Sequence, residues 1–264
     1  MQKEINKAAH IKEEALAYFT KHYPRASKNE IDKQVEDWQN KINSGQALVE
    51  FFENRVGKVQ AKRVLDVGFG SGGIVVAFNQ AGALVSGVDI NPELKIIAER
   101  VLVENGAKAD LQIYNGTDLP YGDNYFDYIV SSSVLEHVST PEKLLNEMLR
   151  VLKVGGRIFL SLPNKYYPFE THTLAYFVSY MPHSLANWYL KLLKRSSLED
   201  DNLHFYSYFD IIKMLKKSNF KYDLVYKDLS QISAIKKIII NTLKKLGVHY
   251  TIFLKQLIFI IEKK

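Results

Sequence analysis

Apolar residues along most of this chain follow two alternating patterns. Short runs such as VLDV at 64–67 and IFLSL at 158–162 are apolar at most positions, which is typical of strands buried on both faces. Between such runs, segments of about 10–15 residues carry apolar side chains at helical spacing. From residue 62 onward this alternation predicts βαβ units, and therefore an α/β fold with a mainly parallel sheet.

Capping residues mark where the predicted helices begin. Asn91 and Thr140 each precede a proline, so each predicts a capping side chain followed by proline at the first helical position. Ser207 and Asp210 have the spacing of a reciprocal capping pair. The predicted strands are RVLDV, LVSGVD, DLQIY, YFDYIVSS and RIFLSLP, and the predicted helices cover about 73–81, 92–104, 141–152 and 208–219.

The regions around this alternating part have a different character. Residues 3–23 and 28–56 have helical spacing with Pro24 between them, so 1–58 is predicted to be an N-terminal helical cap on a domain of 59–264. Residues 164–205 form an aromatic-rich insertion after the fifth strand. Because this insertion is too long for a routine connection, we interpret it as a helical, substrate-side element. KYDLVYKDL and TIFLKQLIFII, near the end, resemble two further strands.

Composition narrows the class of protein. The chain has 264 residues, 47% of them hydrophobic, which is enough to bury one sizeable core. It contains no cysteine, so disulfides and thiolate metal sites are excluded. The charged start, MQKEINKAAHIKEEAL, lacks the apolar stretch of a signal peptide, and no apolar run is long enough to span a bilayer. A cytoplasmic protein is therefore expected.

The net charge of +6 is concentrated near the end of the chain. From Phe205 onward there are 12 lysines and 4 acidic residues, a surplus of 8 positive charges. Residues 232–246 place isoleucines and leucines on one helical face and lysines mostly on the other. That pattern fits a helix packed on the sheet, and it also fits peripheral contact with a membrane. Nucleic acid is not an expected partner, because basic and aromatic residues are not interleaved.

The stretch VLDVGFGSGG at 64–73 carries the strongest chemical signal. Its glycines let the backbone turn sharply and approach a ligand, and the helix that follows offers unpaired N–H groups. Gly68, Gly70 and Gly73 also fit the G-x-G-x-x-G dinucleotide pattern, and Asp89 lies 21 residues after Gly68. A nicotinamide dinucleotide site, and with it an NAD(P)-dependent oxidoreductase, is therefore one hypothesis.

Acidic residues at successive strand ends favour a different ligand. Asp66, just before the glycine loop, would repel a pyrophosphate and attract an ammonium group. A ligand with an amino-acid end, a ribose and an adenine would place its amine on Asp66 and its ribose hydroxyls on Asp89. Ile90 would then pack on the base, and Asp118 would accept from the exocyclic amine with the Leu119 backbone nearby.

These motifs resemble the class I S-adenosylmethionine-dependent methyltransferases. VLDVGFGSGG, VSGVDINPE, NGTDLPYGDNYFDYIVSSSVLEHV and VLKVGGRIFLSLPN carry the likeness, from about residue 62 to 163. The resemblance implies a Rossmann-like seven-stranded sheet with the two last runs as its antiparallel edge, and S-adenosyl-L-methionine as cofactor. It also implies cofactor positions at Asp66, Gly68, Gly70, Asp89, Ile90 and Asp118, with Ser132 and Ser133 beside the sulfonium.

The predicted catalytic residues follow from the reaction. In-line methyl transfer to oxygen needs alignment and a base or a metal. Glu136, His137 and His172 are the predicted catalytic residues. SVLEHV resembles the ubiquinone-pathway O-methyltransferases, where E-x-x-E-H contributes to a divalent-metal site. Ser133 replaces the first Glu here, so no metal ligand is predicted, although Glu136, His137, Glu170 and His172 could form a site if the insertion folds back. His137 could equally be a structural element beside the cofactor.

The sequence thus predicts a methyltransferase that acts on oxygen of a small or lipid-linked acceptor, such as a saccharide, a phenol or a quinone precursor. The aromatic insertion could clamp that acceptor, or could simply pack as helices on the core. The oxidoreductase hypothesis requires a hydride-transfer pattern such as Tyr-x-x-x-Lys after the fourth or fifth strand, and none is present. A third hypothesis is a non-catalytic, membrane-associated scaffold that only binds the cofactor.

Overall fold

The computed structural model describes residues 2–200, 202–218, 221–224, 238, 241–243, 245 and 254–264. The helices are α1 Gln2–His22, α2 Lys28–Gln39, α3 Lys41–Arg55, α4 Gly73–Gln80, α5 Pro92–Glu104, α6 Pro141–Val151, α7 His183–Leu192 and α8 Tyr208–Lys216, with 3₁₀ turns η1 Leu135–His137 and η2 Val178–Tyr180. The strands are β1 Arg63–Val67, β2 Leu84–Asp89, β3 Ala109–Ile113, β4 Phe126–Ser132, β5 Leu152–Pro163, β6 Phe169–Glu170, β7 Ala175–Tyr176, β8 Lys221–Leu224 and β9 Gln256–Glu262.

One mixed sheet organises the chain. Its order is β3-β2-β1-β4-β5-β9-β8, with the first five strands parallel and β9 antiparallel to both β5 and β8. The predicted parallel sheet and its antiparallel edge are confirmed. The chain order reverses between β1 and β4, so the carboxyl ends of these strands border a crevice of the kind that binds ligands in open α/β sheets.

Two hydrophobic cores cover the two faces of the sheet. Alternation along β1 sends Val64 into one core and Leu65 and Val67 into the other. The first core also takes side chains from α1 to α5, and the second is built with α6, α8 and β9. Asp66 has the parity of Val64, so it faces the core that contains the N-terminal helices.

The N-terminal helices share that core with the sheet. Ala15, Phe19 and Phe52 are buried together with residues of α4 and α5. The boundary at residue 58 stays a prediction, and the packing across it is continuous. The expected single helix over 28–56 is interrupted at Asn40, which ends α2 and begins α3. α3 then crosses α4 closely, because a Cβ at Gly45 would lie only 2.8 Å from the Ala77 Cβ.

The insertion after β5 is less helical than predicted. Its helical parts are η2 and α7, and β6 and β7 add a short antiparallel ladder. It also has a small core of its own, formed by Ala175, Val178, Ala186, Leu190, Leu198 and Leu203. The sequence did not reveal the ladder because two-residue strands are too short to show a period of two.

Most predicted helix caps are present. Asn91 accepts from the Glu93 N–H at 2.9 Å, and Ser207 with Asp210 forms the expected capping box. Thr140 precedes α6 but makes no capping hydrogen bond with its side chain, so that part of the prediction is wrong.

The basic segment 232–246 lies almost entirely outside the described residues, so its predicted packing or membrane contact stays a prediction. Among the helices in the described part of the chain, none combines the length and the hydropathy that crossing a membrane requires.

Candidate functional site

The glycine loop turns between β1 and α4 at the crevice. Gly68 and Gly70 have positive backbone φ angles of 77° and 52°, which residues other than glycine rarely adopt. A Cβ at Gly68 would collide with the Val134 side chain, whereas one at Gly70 would meet no atom of the described part of the chain within 4 Å. Gly68 is therefore required by packing, and Gly70 leaves open space where a ligand can approach the backbone.

Asp89, at the end of β2, holds this loop in place. Its carboxylate accepts from the Gly70 N–H at 2.9 Å and from the Asn91 N–H at 3.0 Å, one bond on each oxygen. Burial raises the pKa of Asp89, and the backbone hydrogen bonds oppose this rise. Each carboxylate oxygen keeps a second lone pair, so the group can still accept from two vicinal hydroxyls.

Asp66 is a buried carboxylate without a hydrogen-bond partner on either oxygen, within the part of the chain that the structure describes. Burial raises its pKa to about 7, the positive charge of Lys41 opposes that rise and the negative charge of Asp89 adds to it. An isolated buried carboxylate is costly, because desolvation is not repaid by a partner. This side chain therefore fits a ligand that brings a cationic hydrogen-bond donor.

The predicted base-binding side of the crevice contains an additional residue. Ile90 is 62% exposed. A Cβ at Gly116 would lie 3.6 Å from Ile90 Cγ2, so the loop after β3 passes close beside this side chain. The sequence reasoning missed Gly116. The signal that could have found it is a glycine two residues beyond a predicted strand end.

Asp118 and Leu119 already have partners elsewhere. The Asp118 carboxylate is exposed and bonds with Lys143 Nζ at 2.9–3.0 Å and with Asn115 Nδ2 at 2.7 Å. The Leu119 N–H donates to Glu147 on α6 at 3.0 Å. Their predicted contacts with the adenine would require these bonds to be exchanged, so those two assignments stay predictions.

Ser132 and Ser133 end β4 next to the glycine loop. The Ser161 hydroxyl donates to Ser132 Oγ at 3.1 Å, and the Ser133 N–H donates to the Ser161 carbonyl at 2.9 Å. Ser133 has a positive φ of 57°, which turns the chain into η1. Because Val134 packs under Gly68, η1 starts directly beside the predicted cofactor loop.

The three predicted catalytic side chains lie together. One ligand-capable atom of each of Glu136, His137 and His172 lies within 4.8 Å of the other two. Glu136 is almost fully buried, and neither of its carboxylate oxygens has a hydrogen-bond partner within the described residues. Burial raises the pKa of Glu136, and the nearby charges of His137 and His172 oppose this rise.

Glu170 orients His172. Its Oε1 lies 2.7 Å from His172 Nδ1, and its Oε2 accepts from the Thr173 N–H at 2.6 Å and from the Thr173 hydroxyl at 2.8 Å. Burial alone would raise the pKa of Glu170. The hydrogen bonds and the charge of His172, with the backbone bonds from His172 and Thr173, outweigh that effect and lower the pKa to about 2. Glu170 is therefore ionised at neutral pH.

The insertion does fold back on η1. The His204 N–H donates to the Glu136 carbonyl at 2.7 Å, and Asn202 Nδ2 donates to the His137 carbonyl at 2.7 Å. His172 thus reaches a cluster whose other members lie 35 and 36 positions earlier in the chain. The prediction that no metal is bound is untested, but the cluster does supply three nitrogen and oxygen ligands of the kinds that zinc sites use.

A small cleft, about 20 Å³ in volume and open to solvent, lies between the N-terminal helices and the insertion and reaches His172 of this cluster. It is lined by Phe19, Tyr23, Ala26, Glu30, Ile31, Gln34, His172, Thr173, Ser196, Ser197 and Leu203. Buried Glu30 joins the two walls, because it lies 3.5 Å from Arg195 Nη1 and accepts from the Ser196 N–H at 3.3 Å. His172 lines the cleft and also belongs to the cluster with Glu136 and His137.

Comparisons with known proteins agree with this geometry. Residues 65–160 match a methyltransferase domain family. A ubiquinone biosynthesis O-methyltransferase of Dechloromonas aromatica is 31% identical over 170 residues, which are 58% of this chain and 71% of that protein. An uncharacterized protein of Methanocaldococcus jannaschii is 28% identical over 197 residues, 73% of this chain and 82% of that protein. Against other curated relatives the chain spans between 40 and 60% of their length.

A solved structure shows the same fold. The S-adenosylmethionine-dependent methyltransferase of Mesorhizobium loti aligns with a TM-score of 0.56 over 84% of this chain and 100% of that chain, at 14% identity. The NAD(P)-dependent oxidoreductase hypothesis fails on these matches, and a buried anionic Asp66 is also unfavourable for a pyrophosphate. The chain belongs to the class I S-adenosylmethionine-dependent methyltransferases, and S-adenosylmethionine is its cofactor.

Proposed function

We propose that this methyltransferase transfers the methyl group to a hydroxyl oxygen of a small or lipid-linked acceptor that enters the cleft between the N-terminal helices and the insertion. The supporting observation is His172, which lines that cleft and belongs to the cluster with Glu136 and His137. A methyltransferase with an oxygen nucleophile benefits from a base at the reacting hydroxyl, and the cleft is lined by one imidazole, that of His172.

The cofactor's position follows from the unpaired groups of the crevice. Its ammonium group would pair with Asp66, whose carboxylate has no hydrogen-bond partner among the residues that the structure describes. Its ribose hydroxyls would donate to Asp89, and its adenine would lie against the exposed side chain of Ile90. Lys41, whose charge is felt at Asp66, would balance the carboxylate of the amino-acid end. When bound, the cofactor supplies an electrophilic methyl group on a sulfonium.

His172 would act as the general base in its neutral form, with the proton on Nδ1 directed at Glu170 and Nε2 as the accepting atom. The bound cofactor would supply the methyl group to the acceptor oxygen, and His172 would take the proton that the acceptor hydroxyl loses. Glu170 holds that ring by its Nδ1 atom at 2.7 Å, which fixes its orientation toward the cleft. The buried carboxylate of Glu136 would stabilise the imidazolium that forms.

A divalent ion would fit the same three side chains. Two imidazoles and a carboxylate match the donor sets of catalytic zinc sites, and Glu170 on His172 resembles the carboxylate that supports a metal-bound histidine. Such an ion would polarise the acceptor hydroxyl, and His172 would then be a ligand. The resemblance to the ubiquinone-pathway enzymes favours a metal, and Ser133 in place of their first Glu weighs against it.

The experiment incubates the protein with cofactor labelled in its methyl group and with fractionated cell extract, and follows the label into lipid, glycan, small-molecule and RNA pools. We expect label in the lipid or small-molecule pool that mild base does not release. Label in an amine or in RNA would contradict the proposal, and no transfer to any pool would support the non-catalytic scaffold.

Two variants and a chelator then separate the roles of the cluster. His172→Asn should abolish transfer while the dissociation constant for S-adenosylhomocysteine stays unchanged. His183→Asn is the matched control, since His183 is exposed in the same insertion. With His172 as base, EDTA leaves the rate unchanged. A rate that falls with EDTA and returns with added Mg²⁺ or Zn²⁺ would instead assign the cluster to a metal.

A further inference from the structure

A buried tyrosine of helix α1 is hydrogen-bonded to the turn between β2 and α5, next to Asp89. The ring of Tyr18 contacts the rings of Phe19, His22 and Trp38, with centroids 5.3, 4.5 and 5.2 Å apart. These contacts restrict the ring, so the position of its hydroxyl is fixed. That hydroxyl accepts a hydrogen bond of 2.9 Å from the side-chain Nδ2 of residue 91.

Asn91 joins this tyrosine to the carboxylate of Asp89 through three hydrogen bonds. Its Oδ1 accepts from the Glu93 N–H at 2.9 Å and so caps α5. Its Nδ2 donates to Tyr18, and its backbone N–H donates to Asp89 Oδ1 at 3.0 Å. Two hydrogen bonds through one residue therefore connect the Tyr18 hydroxyl with a carboxylate oxygen of Asp89.

The side chain of Asn91 offers more than capping requires. Capping uses only its Oδ1, and an aspartate would accept from the Glu93 N–H equally well. An aspartate would offer no hydrogen-bond donor to Tyr18, whereas the amide does. With both amide atoms bonded, the side chain is held in one orientation, and the residue cannot turn about its backbone without breaking a bond.

Other contacts already dock α1 on α5. Arg100 Nη1 lies 2.5 Å from Glu14, and Glu93 lies 2.8 Å from both Lys21 and His22. The two helices also share a hydrophobic core. Docking of α1 therefore does not require the buried Tyr18 hydroxyl, and the effect specific to that hydroxyl is on Asn91.

From these contacts we propose that Tyr18 is a positioning residue for the ribose of the cofactor. By holding Asn91 it holds the backbone N–H that orients the Asp89 carboxylate, so that lone pairs on both oxygens stay available to the ribose hydroxyls. A binding group that is oriented beforehand needs less ordering when the ligand arrives. The inference rests on the placement of the ribose at Asp89 under the proposed function, and it gives the N-terminal helices a part in cofactor binding.

The test compares S-adenosylhomocysteine with its dideoxy analogue, which lacks both ribose hydroxyls. Tyr18→Phe keeps the aromatic ring and removes only the hydroxyl. Titration calorimetry on the full chain should show that this variant binds S-adenosylhomocysteine about three- to tenfold more weakly, the effect of one hydrogen bond. The dissociation constant for the dideoxy analogue should stay unchanged, because that ligand has no hydroxyl to donate to Asp89.

Two further variants separate positioning from docking. Glu14→Gln is the matched control, since it weakens a contact of α1 with Arg100, nine positions after Asn91, and it should leave the ratio of the two dissociation constants unchanged. Asn91→Ser keeps a capping oxygen and removes the amide donor. It should weaken S-adenosylhomocysteine binding by itself and add little to the effect of Tyr18→Phe, because both substitutions break the same connection.

The outcomes distinguish this inference from the placement of the cofactor. If the unchanged protein binds both ligands equally, the ribose hydroxyls do not contact Asp89, and the placement and the role of Tyr18 are both wrong. If it prefers S-adenosylhomocysteine and Tyr18→Phe keeps that preference in full, the placement holds and the role of Tyr18 is overturned. Weakening of both ligands by the same factor would also overturn it, because the hydroxyl would then only stabilise the fold.

Discussion

At the scale of single residues, Asp66 is the costliest group in the crevice. Its carboxylate is buried on β1 and has no hydrogen-bond partner among the described residues, so no hydrogen bond offsets the desolvation that burial causes. A residue that destabilises the ligand-free protein in this way is expected where a cationic ligand group supplies the missing partner. Stability and cofactor affinity should therefore respond in opposite directions when this charge is removed.

The substitution Asp66→Asn tests whether stability rises while cofactor affinity falls. The pKa of Asp66 is raised to about 7 from an ordinary value of 3.8, so the stability linked to its protonated form is complete below about pH 4 and is lost as the pH rises through 7. At pH 8 the variant should be more stable without ligand by on the order of 2 kcal/mol, because the gain from removing the charge is partly offset by an unpaired amide. Affinity for S-adenosylhomocysteine should fall at least tenfold.

Urea unfolding at pH 4, 6 and 8 and titration calorimetry measure both quantities for Asp66→Asn. The stability difference should be smallest at pH 4 and largest at pH 8. A variant that binds S-adenosylhomocysteine as tightly as the unchanged protein would remove Asp66 from the cofactor site.

Two glycines of the loop should behave differently when a methyl group is added. Gly68→Ala forces a Cβ into Val134 at a positive φ, so it should lower the free energy of unfolding by about 2 kcal/mol or more. Gly70→Ala meets only open space and should cost about 1 kcal/mol from its φ angle, yet it should weaken binding of S-adenosylhomocysteine by intruding on the ligand. For each variant, the loss of S-adenosylhomocysteine affinity is compared with the loss of unfolding free energy. If this ratio is the same for Gly70→Ala as for Gly68→Ala, Gly70 has no direct role in the site.

Glu170 gives a prediction with the opposite pH dependence. Its pKa is lowered to about 2 from 4.5, so its contribution to stability is complete above about pH 4.5 and is lost as the pH falls through 2. Glu170→Gln should therefore destabilise the protein at pH 7 by on the order of 3 kcal/mol. Unfolding curves at pH 7 and pH 3 check this, and Glu199→Gln, exposed in the same insertion, is the control. A difference that is as large at pH 3 as at pH 7 would exclude the charge as its cause.

At the scale of elements, features that are encoded in the local sequence could be predicted, and features that depend on tertiary packing could not. β1, α5 and the capping box of α8 follow from periodicity and cap residues, and all three are present as expected. The break at Asn40 has no proline or glycine to signal it. α2 and α3 separate there because α3 must cross α4 at the distance that Gly45 permits. The position of this break is set by how α3 packs on α4, and the local sequence around Asn40 does not encode it.

The candidate site divides in the same way. The positions of Asp66, Gly68, Gly70 and Asp89 could be predicted from the sequence, because each lies at or just after the end of a predicted strand. Glu136 and His137 follow β4 directly. His172 joins them only because the insertion folds back through Asn202 and His204, and no local spacing encodes that return.

The link between the insertion and the N-terminal helices is testable by one substitution. Arg195 donates to Ser27 Oγ at 2.6 Å and lies 3.5 Å from buried Glu30. Arg195→Met would leave Glu30 without its cationic partner, so the free energy of unfolding should fall by about 1–3 kcal/mol. Trypsin should cut within 164–205 faster, while S-adenosylhomocysteine affinity should stay unchanged. Lys194→Met is the adjacent exposed control, and equal protease rates in the two variants would refute the link.

At the scale of the whole molecule, the candidate site is built from several parts of the fold. The ends of β1, β2 and β4 border the proposed cofactor crevice, η1 and the insertion supply the proposed catalytic cluster, and the N-terminal helices form one wall of the cleft. α3 touches the glycine-loop helix at two points, since a Cβ at Gly73 would lie 2.7 Å from the Lys41 Cβ and one at Gly45 would lie 2.8 Å from the Ala77 Cβ. Displacing α3 should therefore change the geometry of the glycine loop as well as the packing of the core.

Gly45→Val tests this coupling, because a branched side chain must push α3 away from α4. The free energy of unfolding should drop by about 1–3 kcal/mol, as for other overpacked contacts. The dissociation constant for S-adenosylhomocysteine should rise as well, because Lys41 moves with α3 away from Gly73 and Asp66. Ala47→Val, on the exposed side of α3, should change neither quantity. If Gly45→Val lowers stability while cofactor affinity holds, the N-terminal helices support the core without shaping the cofactor site, and the role of Lys41 toward the cofactor's carboxylate is lost with that coupling.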